Sequence, residues 1–191
     1  MAVSAIVEVI TAIAQVGLAG AACVGVWVAY SQLSATRVSY ISRRRSEVAE
    51  DAIVLLRQVE DSFRHMRNPF DSIPRDKLSD REFVYRRRYE RVVEANDLFE
   101  KLRELQVRCD AIIPNADLKS ATISLINSRS DIALAIEELS EIEGDDRNGE
   151  DYRRAHRTLY GSWSDRDSFG LSILQQINAA VHRLEPFARF E

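Results

Sequence analysis

Apolar positions recur at intervals of three and four along most of this chain, and that spacing predicts helices. Val48, Ala52, Leu55, Val59, Phe63 and Met66 form one stripe, with Glu47, Glu50, Arg57 and Glu60 on the other faces. No Gly or Pro interrupts the chain between Val26 and Asn68, so the helix expected over about 39–67 can continue without a break from the segment before it. Pro69 biases the preceding residue away from helical geometry and should end this helix at Asn68. After a loop with Pro74, Ser79 and Glu82 have the form of a capping box. The helix they open is expected to run to about Ile113, with Tyr85, Tyr89, Val92, Phe99, Leu102, Cys109 and Ile113 as its stripe.

Pro114 breaks that helix, and Asn115 or Asp117 can cap the next. Leu118, Leu125, Ile132, Ile136 and Leu139 keep helical spacing up to Gly144, a C-terminal stop signal. A short helical stretch over about 151–160 and a turn at Gly161, Ser162 and Trp163 precede a last helix. Asp165 or Asp167 can cap it, and Phe169, Ile173, Ile177, Ala180, Leu184 and Phe187 are its buried stripe. No segment alternates with period two, so no sheet is expected. The fold class read from these patterns is all-α: one N-terminal transmembrane helix followed by a cytoplasmic bundle of about four antiparallel helices.

The transmembrane expectation rests on the first segment, which has no charged residue between Glu8 and Arg37. As a helix, residues 9–30 rise roughly 33 Å, which matches a hydrocarbon core of about 30 Å. Trp27 and Tyr30 sit at the end of that span, where amphipathic rings favour the interface. Arg37 and then Arg43, Arg44 and Arg45 follow, whereas the N-terminal flank carries only Glu8. The positive-inside bias places the N-terminus outside and the body in the cytoplasm of a bacterial inner membrane, with the basic run touching lipid head groups. The division expected is an anchor over 1–36 and a bundle over 37–191. A cleaved signal peptide lacks support because no positive n-region is present. A lipoprotein signal ending at Cys23 fails because the apolar run continues beyond it. A buried core helix would be shorter. Gly17, Ala21 and Gly25 recur every four residues on one face, a spacing that lets two membrane helices approach closely and would serve a homo-oligomer.

Composition refines this picture only slightly. With 29% charged and 46% hydrophobic residues in 191, the chain can build a core. The formal net charge of −4 hides a basic half (net +3 over 37–108) and an acidic one (net −6 over 109–191). No nucleic-acid partner is expected from that balance. Two cysteines, Cys23 and Cys109, make no disulfide framework. Arg far outnumbers Lys, whose only positions are Lys77, Lys101 and Lys119, a bias that carries no assignment by itself.

Recognisable chemistry is sparse. None of His65, His156 and His182 follows a Glu by three positions, so the di-iron bundle pattern is absent. There is no HExxH, no phosphate-binding glycine loop and no GxSxG. No catalytic residue, metal or cofactor is therefore expected. Two arginine-bearing strings remain. Arg64, Arg67 and Asn68, in the string that ends in Pro69 and Phe70, read as a helix end with the arginines near carbonyls of its own last turn and Phe70 folded back. The same residues are candidates for contact with an anion or an acidic partner. Arg86 and Arg87, with Arg88 and Arg91, are candidates for the same contact, or are neutralised by acids of a neighbouring helix.

The apolar segment 9–30, the string 64–70 ending in Arg-Asn-Pro-Phe and the aromatic-Gly-x-Trp turn at 160–163 resemble a set of small uncharacterised bacterial membrane proteins. The resemblance implies one N-terminal transmembrane helix and a helical cytoplasmic body, and implies no activity. The functional expectation is a single-pass protein, in contact with membrane lipid, acting through protein–protein contacts with an unidentified partner or a second copy. Two alternatives stand beside it: a membrane-acting accessory or effector of toxin-like or phage-defence type, suggested by Gln15 within the span, and an enzyme without a recognisable motif.

Overall fold

The computed structural model describes the backbone of residues 2–70, 74–77, 80–142, 149–161 and 163–188, and their side chains other than those of 2–16, 19, 35 and 75. Six α-helices are present among the described residues: α1 (Ala2–Met66), α2 (Arg81–Glu94), α3 (Asn96–Ile112), α4 (Ala116–Glu141), α5 (Glu150–Leu159) and α6 (Ser168–Ala188). No strand occurs among them, as the absence of period-two alternation implies. The chain divides into two compact units, Met1–Arg44 and Arg45–Glu191.

In the first unit, α1 is unbroken, and every described side chain faces solvent. Leu18, Val24, Val26, Trp27, Tyr30, Val38 and Tyr40 are each at least 62% exposed. Gly17, Ala21 and Gly25 are exposed as well, and a Cβ on either glycine would meet nothing within 4 Å. Among the described residues no helix is long and apolar enough to cross a membrane. Much of the expected span, 9–16 together with 19, lies outside the described side chains, as do Gln15 and Gly144.

The second unit is a helical bundle. Its stripe on α1 is Val48, Ala52, Leu56, Val59, Phe63 and Met66, all buried; Leu56 takes the core position and Leu55 is only partly buried. α4 packs against α2, α3, α5 and α6. Leu125, Ile132 and Leu139 of α4 are fully buried, as are Leu102 of α3, Leu159 of α5, and Ile173, Ile177 and Leu184 of α6. Each such side chain contributes about 1.5–3 kcal/mol by leaving water. Phe63 meets Phe99 edge to face at 5.5 Å. Tyr89, expected in the α2 stripe, is 40% exposed, and Phe70, expected to fold back, is 84% exposed.

The helix expected to run unbroken to Ile113 is in fact two. α2 ends at Ala95 without Gly or Pro. Arg129 of α4 donates to the Val92 carbonyl and to the Asn96 side chain, so a guanidinium occupies the junction. A side chain that engages a carbonyl of the i→i−4 ladder is a recognised cause of a helix break. The α2 cap also differs: Asp80, not Ser79, accepts from the Phe83 amide, and Ser79 lies outside the described residues. Asn115 caps α4 through bonds to the amides of Asp117 and Leu118.

One device recurs at the helix C-termini, whose last carbonyls lack intrahelical partners. Arg88 and Arg91 of α2 donate to the carbonyls of His65 in the last turn of α1 and of Asn68, Pro69 and Phe70 just beyond it. Arg129 serves α2, as above, and Arg45 donates to Ile112 at the end of α3. Arg81 donates to Leu139 and Ile142 at the end of α4. Arg67 donates to Arg157 and Thr158 at the end of α5. Each of these five ends is closed by a guanidinium from a different helix or helix end. The planar fork of Arg offers several donors at once, and its charge complements the negative helix end. An ammonium group on a flexible stem does this poorly, which is a structural use for the Arg-rich composition.

Candidate functional site

The deepest polar feature of the bundle joins the end of α1 to the α5–α6 connection. Arg67 is fully buried, and the side chain of Asp167 is 6% exposed. Two parallel bonds of 2.9 Å link Nη1 and Nη2 of Arg67 to the two carboxylate oxygens. Nε of Arg67 reaches the Thr158 carbonyl at 2.8 Å, and Nη2 also reaches that of Arg157 at 3.1 Å. Asp167 in turn caps α6 by accepting from the Gly170 amide at 3.0 Å, and accepts from the Trp163 amide at 3.1 Å. Four donors thus converge on one carboxylate, which is the condition under which a buried ion pair is tolerated.

Burial alone would raise the pKa of Asp167. The bonds from Arg67, Gly170 and Trp163, together with the guanidinium charge, outweigh it and hold the carboxyl below its ordinary value. Aromatic rings close the pair from outside. The Arg67 guanidinium carbon stands 5.0 Å from the Trp163 ring centroid and 5.1 Å from that of Phe169, within cation–π range.

The local sequence makes room for this arrangement. A Cβ on Gly161 or on Gly170 would overlap the Arg67 guanidinium and the Asp167 carboxylate. Trp163 has φ 56°, a left-handed conformation costly for a bulky side chain, and that geometry accompanies the amide bond to Asp167. The two strings singled out in the sequence, 64–70 and 160–163, therefore meet at a single point.

The candidate contact residues distribute as follows. Arg67 faces inward, away from solvent, and binds carbonyls of α5 in place of those of its own last turn. Arg64 is exposed, pairs with Glu60 at 2.9 Å and lies 5.0 Å from the Trp163 ring. Asn68 uses its side chain to accept from the Phe70 amide. Arg86 pairs with Glu82 and Arg87 with Glu90, each within α2. Arg88, by contrast, is buried, with its guanidinium carbon 4.4 Å from the Tyr160 ring. Arg67 thus does not share the exposed surface of Arg64 and Asn68, and Glu82 and Glu90 of α2 itself are partners of Arg86 and Arg87.

Comparison with protein-family models, curated proteins and solved structures finds no match.

Beside the clasp lies an open cavity of about 570 Å³. Arg154, Arg157 and Arg166 line it, with the hydroxyl-bearing Thr158 and Ser168, and among the described residues the one carboxylate in its wall is Asp167. Sequence reading passed over these arginines, because they are dispersed across a helix and a turn. Among the described residues no cluster of three or more His, Cys, Asp or Glu side chains could hold a metal ion. Cys109 is buried, and burial followed by the charge of Asp110 pushes its thiol up to about 11. His156 is lowered by burial and then by Arg88.

Proposed function

We propose that this chain is a single-pass, membrane-anchored helical protein whose bundle works on the cytoplasmic side through contacts with other proteins. The carrying observation is the change of environment along α1. From Ser46 onward its apolar stripe is buried in the bundle, whereas the described side chains before it, Trp27, Tyr30 and Leu33 among them, are exposed. An exposed apolar helix surface of that extent is a typical site of contact with lipid or a partner helix. The uncharged run 9–36 and the arginines at 37 and 43–45 supply the length and the direction. Gly17, Ala21 and Gly25 leave an unobstructed face for a second copy.

Fractionation tests the anchor. The full chain is expected to stay in alkali-washed membranes, and the chain lacking residues 1–36 to be released. Full-length protein recovered in the soluble fraction would remove the reading. Crosslinking in membranes tests the second copy: Gly17→Ile with Gly25→Ile should abolish a dimer band, and a monomer in both proteins would remove that part.

A further inference from the structure

We propose that the cavity beside the Arg67–Asp167 clasp is a binding site for a phosphate group. Three arginines line it, and their charges are unequally compensated. Arg154 pairs with Asp151 at 2.8 Å and approaches Glu138 at 3.6 Å. Arg157 and Arg166 are exposed and have no ion pair among the described residues. The only carboxylate in the wall among the described residues, Asp167, already has both oxygens engaged by Arg67, so it repels an incoming anion weakly. Among the described residues the cavity therefore presents two guanidinium groups without an ion pair over a neutral pair.

The chemistry of the lining selects among anions. Guanidinium forks match phosphate oxygens in pairs, and the hydroxyls of Thr158 and Ser168 can add neutral donors. A carboxylate has two oxygens and a single charge. A phosphate monoester has three terminal oxygens and close to two charges at neutral pH, and so uses more of this donor set. The position is also held firmly. Arg157 and Thr158 are the residues whose carbonyls Arg67 binds, so the clasp fixes the backbone that carries part of the lining. The assignment does not depend on the membrane anchor.

The phosphate group can belong to a free solute or to a lipid head group, and two probes distinguish these. The full chain in a neutral detergent is titrated with inorganic phosphate and, separately, with dihexanoyl phosphatidic acid, and its melting temperature is followed. Sodium chloride at matched ionic strength is the control. A saturating rise with at least one probe, absent with chloride and weakened at least tenfold in apparent affinity by Arg157→Glu with Arg166→Glu, supports the site. A response to the lipid alone identifies a head group as the source, and a response to both shows that the phosphate suffices. Should the double variant fail to fold, Arg166→Gln, in the exposed turn before α6, is read in its place against the same criterion. No response to either probe, or an undiminished response in the variants, overturns the assignment.

Discussion

The guanidinium of Arg67 and the carboxylate of Asp167 stand opposite each other through two bonds of 2.9 Å, although 100 residues separate them in the chain. The pair ties the residue that follows α1 to the residue that precedes α6, and Arg67 closes the end of α5 on the way. Breaking a buried pair from one side strands an uncompensated charge and costs about 3–5 kcal/mol. Arg67→Met and Asp167→Asn are each expected to destabilise the bundle by about that amount in denaturant unfolding. The double variant should fall well short of the sum, since the second substitution removes the charge stranded by the first. Full additivity would show that the two side chains do not act as a unit.

Acid stability follows from the same carboxylate. The folded pKa of Asp167 is lowered, while the unfolded value is about 3.9. A depressed folded pKa contributes stability that is fully present above the unfolded pKa and is lost as pH falls through the folded one. Unfolding midpoints measured below about pH 4 should therefore fall less steeply with acid for Asp167→Asn than for the native chain. Glu60 is also lowered: burial raises it, but bonds from Arg64 and Arg57 prevail. It remains in both proteins and cancels from the comparison. Parallel slopes would contradict the prediction.

Gly170→Ala offers a test by sign. Inside an ordinary helix this change stabilises by about 1 kcal/mol through propensity. At position 170 the new methyl overlaps the buried ion pair, and overpacking of this kind costs about 1–3 kcal/mol. A net loss of stability is expected, and a gain would show that the pair has room to move. Gly161→Ala should also destabilise, for the same steric reason.

Arginine capping can be probed where it is least entangled with other contacts. Arg81 closes the end of α4 with one terminal nitrogen on two carbonyls, those of Leu139 and Ile142. Arg81→Met removes both bonds and should cost about 1–3 kcal/mol, while Arg81→Lys should recover only part of that loss. Hydrogen exchange would locate the effect, with faster exchange expected in the last turn of α4. Equal stability of the Lys and Arg proteins would show that charge alone, without the fork, suffices.

The cysteines report topology without any engineered label. Cys109 is buried and its thiol is pushed up to about 11, so it should resist alkylation in the folded protein. Cys23 is exposed on the protein surface and lies within the proposed span. A charged maleimide added to permeabilised membranes is expected to leave Cys23 unmodified because lipid surrounds it, and to modify it fully after transfer to denaturing detergent. Prompt labelling of Cys23 in the membrane would place that surface in water.

Several features of this protein were legible from the order of its residues. Period-three-and-four stripes at 48–66, 118–139 and 169–187 specify helices wherever they are packed, because each helix must turn its own apolar face away from water. Pro69 and Pro114 mark ends by a local steric rule, and Asn115 marks a start by a local hydrogen bond. What only the tertiary structure decided are contacts between distant segments. At the break at Ala95 the guanidinium is that of Arg129, from another helix, and no Gly or Pro near Ala95 announces it. Arg67 stands in a surface-like string with Arg64 and Asn68, yet it is the largest fully buried side chain, because its partner and its carbonyls come from α5 and α6. Local pattern fixes which face of a helix is apolar. Which guanidinium meets which carboxylate is settled only when the helices pack, since a charge enters the core only where every one of its partners has already been brought to it.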